Sequence, residues 1–229
     1  MPIGFGTTGQ GIDYNVDIVM CIDATGSMHG IINEVKANAL SLYQQFVEQM
    51  EASDKNVQQL RIKVIVFRDF GVDSEPFVES KFFVLNEDGG AEEFHDFVDK
   101  IEASGGGDLP ESSLEALAVA MNSEWVTTGS IRRHVIIMYT DATALPLGTH
   151  SSAAGYPAGM PADFAELHEW WEGQRMEKRA KRLLVFAPDM EPWSNMVDWT
   201  NTFHTASKAG QGCSDTDMDV CIKLLVNSI

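Results

Sequence analysis

Three oxygen-bearing side chains alternate directly after an apolar run near the start of the chain. Asp23, Thr25 and Ser27 follow the run 16–22, and a glycine separates the two hydroxyl residues. An amphipathic helical pattern comes next, so the stretch is typical of a strand, a tight turn and a helix. In a parallel α/β sheet the carboxyl end of a strand opens on the crevice where ligands bind. Three hard oxygen donors there suit a hard divalent cation.

Acidic residues occur at two later turns with a similar context. Asp108 and Glu111 follow three consecutive glycines, and Asp141 follows the near-continuous apolar strand expected at 131–139. Pro110 and a neighbouring acid are also what the first turn of a helix favours, so a capping box is the alternative for Asp108 and Glu111. The residues by themselves leave both interpretations open.

The pattern Asp-x-Thr-x-Ser closely resembles the Asp-x-Ser-x-Ser signature of von Willebrand factor A (vWA) domains. In that family a metal-ion-dependent adhesion site lies on the loop between the first strand and the first helix. Two further family elements follow in order, Gly-Gly-Gly-Asp-Leu-Pro-Glu at 105–111 and Tyr-Thr-Asp-Ala at 139–142. The resemblance runs from about residue 14 to the C-terminus. It implies that Thr25 and Ser27 ligate the ion directly, with Asp23, Glu111 and Asp141 close or one water away.

The second loop departs from the commonest family pattern. Many vWA domains place a threonine ligand there, and this chain has none. Asp-x-Pro-Glu at 108–111 instead resembles integrin β-chain domains, where the glutamate joins the adhesion-site metal and the aspartate belongs to a neighbouring cation site. The resemblance therefore assigns Glu111 to the metal first and Asp108 second. A glutamate in place of threonine adds negative charge, which tightens cation binding and weakens the pull of the ion on a partner's carboxylate.

The order of elements predicts one three-layer, doubly wound α/β domain over residues 1–229, with 1–13 as a flexible lead-in. Six strands are expected, at 16–22, 61–67, 76–85, 131–139, 182–187 and 203–206. The sheet is expected to be mostly parallel, because near-continuous apolar runs are typical of strands buried on both faces. The short connection before 76–85 makes that segment an antiparallel edge strand, as vWA folds have.

Composition limits the partners. A net charge of −18 and a pI near 4.5 disfavour nucleic acid and anionic membranes and favour a basic protein or a bound cation. No leader-like segment and no apolar run of membrane-spanning length is present in the sequence, so a cytoplasmic location is expected.

Other residues near the predicted site have two interpretations each. Asp69 ends the second strand, and a structural role in its loop is favoured over a place in the outer shell of the metal. His29 is interpreted as a solvated histidine rather than a ligand. The loop 142–162 is too long for an ordinary connection, and it is the candidate specificity loop, with His150 and Tyr156 as contacts.

The resemblance implies an adaptor rather than an enzyme, because the family lacks general catalytic activity. A partner protein's Asp or Glu would complete the coordination of Mg²⁺, with Ca²⁺ or Mn²⁺ as alternatives. Bacterial vWA proteins of this kind accompany Ser/Thr kinases, phosphatases or stress-resistance systems, which are the implied partners. The sequence leaves two other hypotheses open: a metal-dependent hydrolase acting on phosphoesters, and a purely structural cation.

Overall fold

A computed structural model of the chain describes residues 13–30, 32–53, 55–107, 110–173 and 175–207. Asp108 and most of the predicted lead-in lie outside the described residues. The strands are β1 Asp13–Asp23, β2 Asn56–Phe67, β3 Phe77–Glu79, β4 Phe83–Val84, β5 Ile131–Tyr139, β6 Lys181–Pro188 and β7 Thr202–Ser207. The α-helices are α1 Ile32–Ala52, α2 Gly90–Asp99, α3 Ser113–Met121 and α4 Phe164–Glu172, and short 3-10 helices cover Gly26–Gly30 and Trp193–Asp198.

The strands form one mixed sheet in the order β3-β2-β1-β5-β6-β7. Neighbouring strands from β2 to β7 in that order run parallel, whereas β3 pairs with β2 in the antiparallel sense. The predicted mostly parallel α/β sheet with an antiparallel edge is therefore confirmed. Because β1 lies between β2 and β5, its last residue, Asp23, is flanked by the carboxyl ends of both neighbours.

The segment predicted as a single edge strand, 76–85, is divided into β3 and β4, so that the described part of the chain contributes seven strands to the sheet. Both pieces pair with β2. The interruption is at Ser80, whose hydroxyl accepts a hydrogen bond from Val64 N at 2.8 Å. A side chain thus takes the place of a backbone carbonyl in the ladder, and the regular pairing stops there.

Two apolar layers cover the sheet, one on each face. Alternate residues of β1 enter different layers, so Ile18 and Met20 pack with α1 and α2, while Val19 and Cys21 pack with α3 and α4. A three-layer domain results. No helix in the described ranges is long and apolar enough to cross a membrane.

Candidate metal centre

The carboxylate of Asp23 organises the first loop. Its Oδ1 accepts hydrogen bonds from Thr25 N at 2.9 Å and Thr25 Oγ1 at 2.6 Å, and its Oδ2 accepts one from Thr140 Oγ1 at 2.7 Å. The residue is completely buried, and burial raises the pKa of its carboxyl to about 6 in spite of these three hydrogen bonds. Asp23 therefore orients the Thr25 hydroxyl from beneath.

A chain of hydroxyls connects the first loop with the loop after β5. Thr25 Oγ1 lies 3.2 Å from Ser27 Oγ, and Ser27 Oγ donates to Asp141 Oδ1 at 2.9 Å. The other oxygen of Asp141, Oδ2, is buried and has no hydrogen-bond partner among the described residues. The structure thus brings together four residues that the sequence assigned to one site: Asp23, Thr25, Ser27 and Asp141.

Glu111 reaches the same place from the second loop. A Cβ placed on Gly106 would lie 2.9 Å from Thr25 Cβ and 3.2 Å from Glu111 Oε1, so the glutamate lies close to the threonine across this glycine. Glu111 itself is 1% exposed, and its Oε2 makes no hydrogen bond within the part of the chain that is described. Its backbone is held by the loop after β5, because Glu111 N donates to Thr143 O and Glu111 O accepts from Leu145 N.

The capping-box alternative is wrong for Glu111. Helix α3 begins at Ser113, two residues after Glu111. Its N-cap residue, Ser112, makes no side-chain bond to the described part of the helix, and its hydroxyl accepts from Phe70 N at 3.2 Å instead. Glu111 therefore does not cap the helix, and its carboxylate is directed to the site.

Negative charge accumulates at this cluster of loops. Burial raises the pKa of Glu111 to about 8, and the charges of Asp23, Asp69, Asp73 and Asp141 contribute to the same shift. Burial also raises the pKa of Asp141. Two buried carboxylate oxygens, unpartnered among the described residues and lying beside two hydroxyls, fit a cation. No group of three His, Cys, Asp or Glu in the described ranges could hold a metal ion by itself, so a cation here would also need the hydroxyl oxygens.

Cation affinity at this site should rise with pH up to about 8, because an ion must displace the proton that Glu111 retains. The expected slope is about tenfold per pH unit for each proton displaced. Calorimetric titration with Mn²⁺ at several pH values measures it. An affinity that is independent of pH over this window would contradict the assignment of Glu111.

Arg68 holds the loops around the site together through hydrogen bonds, a role that the sequence did not predict. Its guanidinium donates to the carbonyl oxygens of Ala24, Ser104, Glu75 and Glu102, at distances from 2.7 to 3.2 Å. The first and second loops also pair directly, with Gly26 N bonded to Gly105 O and Ser104 N to Ala24 O. Five donors in a planar fork make arginine suited to this task, but a lone arginine at a strand end gives no sequence signal for it.

Asp69 and Asp73 shape the rim of the site. Asp69 Oδ1 accepts from Gly71 N at 2.7 Å, which confirms its predicted structural role. Asp73 accepts from Gly106 N at 3.0 and 3.1 Å and so holds the glycine loop. The sequence interpretation missed Asp73, although an acid four residues after Asp69 is a detectable signal for a turn that binds its own amides.

The long loop 142–162 contacts the rest of the domain through the two residues singled out from the sequence. Tyr156 OH donates to Glu115 Oε1 at 3.0 Å, and His150 Nε2 lies 3.4 Å from Asp69 Oδ1. Both side chains therefore have intramolecular partners, and their roles as partner contacts stay predictions. His29 is exposed, as expected for a solvated histidine.

The topology defines an α/β domain with a cluster of side-chain oxygens at the carboxyl edge of a mostly parallel sheet. The chain belongs to the von Willebrand factor A domain family, whose model matches residues 17–149. That range contains all six residues predicted as metal ligands.

Individual relatives are distant. The chain is 27% identical over 146 residues to a protein of Dictyostelium discoideum named alpha-protein kinase vwkA, a match that covers 64% of this chain and 21% of that protein. Pilus adhesin SpaC of Lactobacillus rhamnosus GG has a similar fold, with a TM-score of 0.59 at 9% identity over 94% of this chain and 31% of the adhesin. Proximal thread matrix protein 1 of the mussel byssus gives 0.52 at 13% identity, over 95% and 49%. The chain thus spans about a fifth of its curated relative.

Proposed function

We propose that this vWA domain binds one divalent cation at Thr25, Ser27, Glu111 and Asp141, and that the bound ion recruits an acidic residue of a partner protein. The observation that carries the proposal is the pair of buried oxygens, Glu111 Oε2 and Asp141 Oδ2, that have no hydrogen-bond partner among the described residues. Unpaired buried carboxylates are costly, and a cation between them offsets that cost.

The chain's own groups divide the work. Thr25 and Ser27 offer neutral oxygens, which leave an ion more electrophilic than an all-carboxylate shell would. Asp23 holds the Thr25 hydroxyl in place, and Glu111 and Asp141 supply negative charge. Mg²⁺ is the first choice and Mn²⁺ or Ca²⁺ are alternatives, because all three accept oxygen ligands. Asp108 is proposed as a metal ligand at a neighbouring cation site. Only the resemblance to integrin β-chain domains supports this role.

The hydrogen bonds of Arg68 favour a role in protein binding over phosphoester hydrolysis. A hydrolase would use a cationic side chain beside the metal ion to clamp the transferred phosphate, and Arg68 is the arginine that follows β2 at this edge. Its guanidinium is engaged with four backbone carbonyls, and releasing it would free the loops that position the ligands. The proposed role is therefore that of an interaction module.

Cation binding is tested by calorimetric titration of chelator-treated protein with Mg²⁺, Mn²⁺ and Ca²⁺. The double variant Ser27→Ala, Glu111→Ala should lose at least about tenfold in affinity, because it removes one neutral and one charged ligand. The matched control is Ser151→Ala, Glu48→Ala, which changes the same residue types at exposed positions and should bind like the wild type. Equal binding by the two double variants would contradict the proposed ligand set.

Recruitment of a carboxylate is tested separately with Mn²⁺ as the probe. The water-proton relaxation of the Mn²⁺ complex reports the exchangeable water on the ion, and added acetate should lower it if a carboxylate takes an open position. Chloride at the same ionic strength is the control. Metal binding with no response to acetate would point to a structural cation, and that outcome would also show a large loss of thermal stability on chelation.

A further inference from the structure

The edge of the sheet opposite the candidate metal centre is basic, although the chain as a whole carries a net charge of −18. Strands β5 and β6 begin there side by side, with His134 paired to Lys181. Seven of the chain's 16 lysines and arginines lie at these two strand starts or in the turn before β6. Lys181 is buried, and the other six are not: Arg132, Arg133, Arg175, Lys178, Arg179 and Arg182. The sheet therefore has an acidic carboxyl edge, and positive charge is in local excess where β5 and β6 begin.

A cavity of about 310 Å³ opens at this basic edge. Arg132 and Arg175 lie in its wall together with Trp125, His134 and Glu177. Arg175 is exposed, and its guanidinium carbon lies 3.5 Å from the centroid of the Trp170 ring, which holds the charge at the rim. Cations at the rim and an aromatic wall suit a ligand that carries both an anionic group and apolar carbons.

One polar group in the wall has no partner among the described residues. His134 is 4% exposed, and its ring stacks on Trp125 with 5.1 Å between centroids. Its Nε2 lies 2.9 Å from the carbonyl oxygen of Val126 and must donate to it, which leaves Nδ1 as an acceptor. This Nδ1 is buried and accepts no hydrogen bond from any residue that the structure describes. A ligand that brings an N–H group would satisfy it.

The carboxylate in the wall shows which kind of group Arg132 binds. Glu177 takes two parallel hydrogen bonds from Arg132, Nε to Oε2 at 2.8 Å and Nη2 to Oε1 at 3.0 Å. The pair is exposed, with 28% of the Arg132 side chain and 43% of the Glu177 side chain accessible. Because both side chains are open to solvent, a carboxylate from outside can compete with Glu177 for the same two donors of Arg132.

We infer that the cavity between Arg132, Arg175 and His134 is a second binding site, and that its ligand is an acidic peptide segment of a partner protein. A peptide supplies both groups that the wall requires, side-chain carboxylates for the guanidiniums and backbone N–H groups for the imidazole. An unprotonated inorganic anion such as sulfate has no hydrogen-bond donor for the imidazole. The site lies at the opposite end of the strands from the candidate metal centre and does not use the cation.

The test is a fluorescence-anisotropy titration of the full chain with a dye-labelled hexaglutamate peptide at low ionic strength, in the presence of chelator. The wild type is expected to bind, and Arg175→Gln, Arg179→Gln should weaken binding. The matched control is Lys81→Gln, Lys100→Gln, which removes the same charge at exposed positions elsewhere. Equal weakening by the two double variants would overturn the site, because it would indicate attraction by net charge alone.

Glu177→Gln provides a gain-of-binding readout that a folding defect does not produce. The variant releases Arg132 from its internal carboxylate, and the peptide should bind about two- to fivefold more tightly. Arg132→Gln should weaken binding by a similar factor. Unchanged affinity in both variants would overturn the role of Arg132.

Two further measurements test whether the peptide occupies the basic edge. The first is whether peptide binding depends on metal, and the second is whether the chain self-associates through this edge. Peptide binding that requires Mg²⁺ and is abolished by chelator would place the peptide at the candidate metal centre and would overturn the second site. Sedimentation velocity of the wild type and of Arg175→Gln, Arg179→Gln identifies the occupant. Self-association that the variant abolishes would mean that a second copy of the chain covers this edge, and the proposal of a separate acidic partner would then be wrong.

Discussion

Gly106→Ala is expected to abolish cation binding and to destabilise the domain. Gly106 has a φ of +72°, and a Cβ on it would come within 2.9 Å of Thr25 Cβ and 3.2 Å of Glu111 Oε1. A methyl group would therefore separate two proposed ligands and strain the backbone at the same time. The combined cost in free energy of unfolding is about 2–4 kcal/mol.

Gly159→Ala is the matched control for that variant. Gly159 also has a positive φ, +68°, but no described atom lies within 4 Å of the Cβ position. Its cost should be the backbone contribution of about 1–2 kcal/mol, with cation affinity unchanged. Urea unfolding and Mn²⁺ calorimetry on both variants separate the two effects. Wild-type affinity in Gly106→Ala would show that Thr25 and Glu111 do not share an ion.

Glu111→Gln should stabilise the metal-free protein while weakening the binding of the cation. Burial and four neighbouring aspartates raise the pKa of Glu111 from 4.5 to about 8. The folded state thus holds this proton more tightly than the unfolded state does. The free energy of unfolding of the metal-free wild type must therefore fall as the pH rises from about 4.5 to about 8. Glutamine keeps the shape and removes the charge, so the gain near pH 7 is about 1–3 kcal/mol.

Excess Mg²⁺ should reverse the order of the two proteins, because it stabilises the wild type by mass action and the variant much less. The measurement is urea unfolding at about pH 5 and about pH 8, with chelator and with Mg²⁺. Glu115→Gln is the control, since Glu115 is also buried with a raised pKa but bonds Tyr156 and Gly148. A metal-free Glu111→Gln protein that is less stable than the wild type at high pH would show that the carboxylate has a favourable partner in the metal-free domain, and its role as a ligand would then be wrong.

Local patterning was enough to predict the layers and the parallel strands. Apolar runs in the strands, such as 135–139, and helical apolar stripes between them admit few arrangements other than a doubly wound sheet. The sequence also placed Asp23, Thr25 and Ser27 together, since alternate residues of one short turn are necessarily close. The division of the edge strand at Ser80 could not be predicted, because it depends on which backbone amide that hydroxyl meets across the strands.

What the sequence by itself determined is therefore the chemistry available at each strand end and the edge at which the strand ends meet. Tertiary structure decided which groups satisfy one another there. Asp23 has its hydrogen-bond partners in Thr25 and Thr140, and Arg68 holds four carbonyls, whereas Glu111 and Asp141 each keep one buried oxygen unpaired among the described residues. Hydrogen bonds between residues more than one hundred positions apart, such as Ser27 to Asp141, arise only when three loops are brought to one edge. No local pattern encodes such distances, because they are set by the register of β1 between β2 and β5.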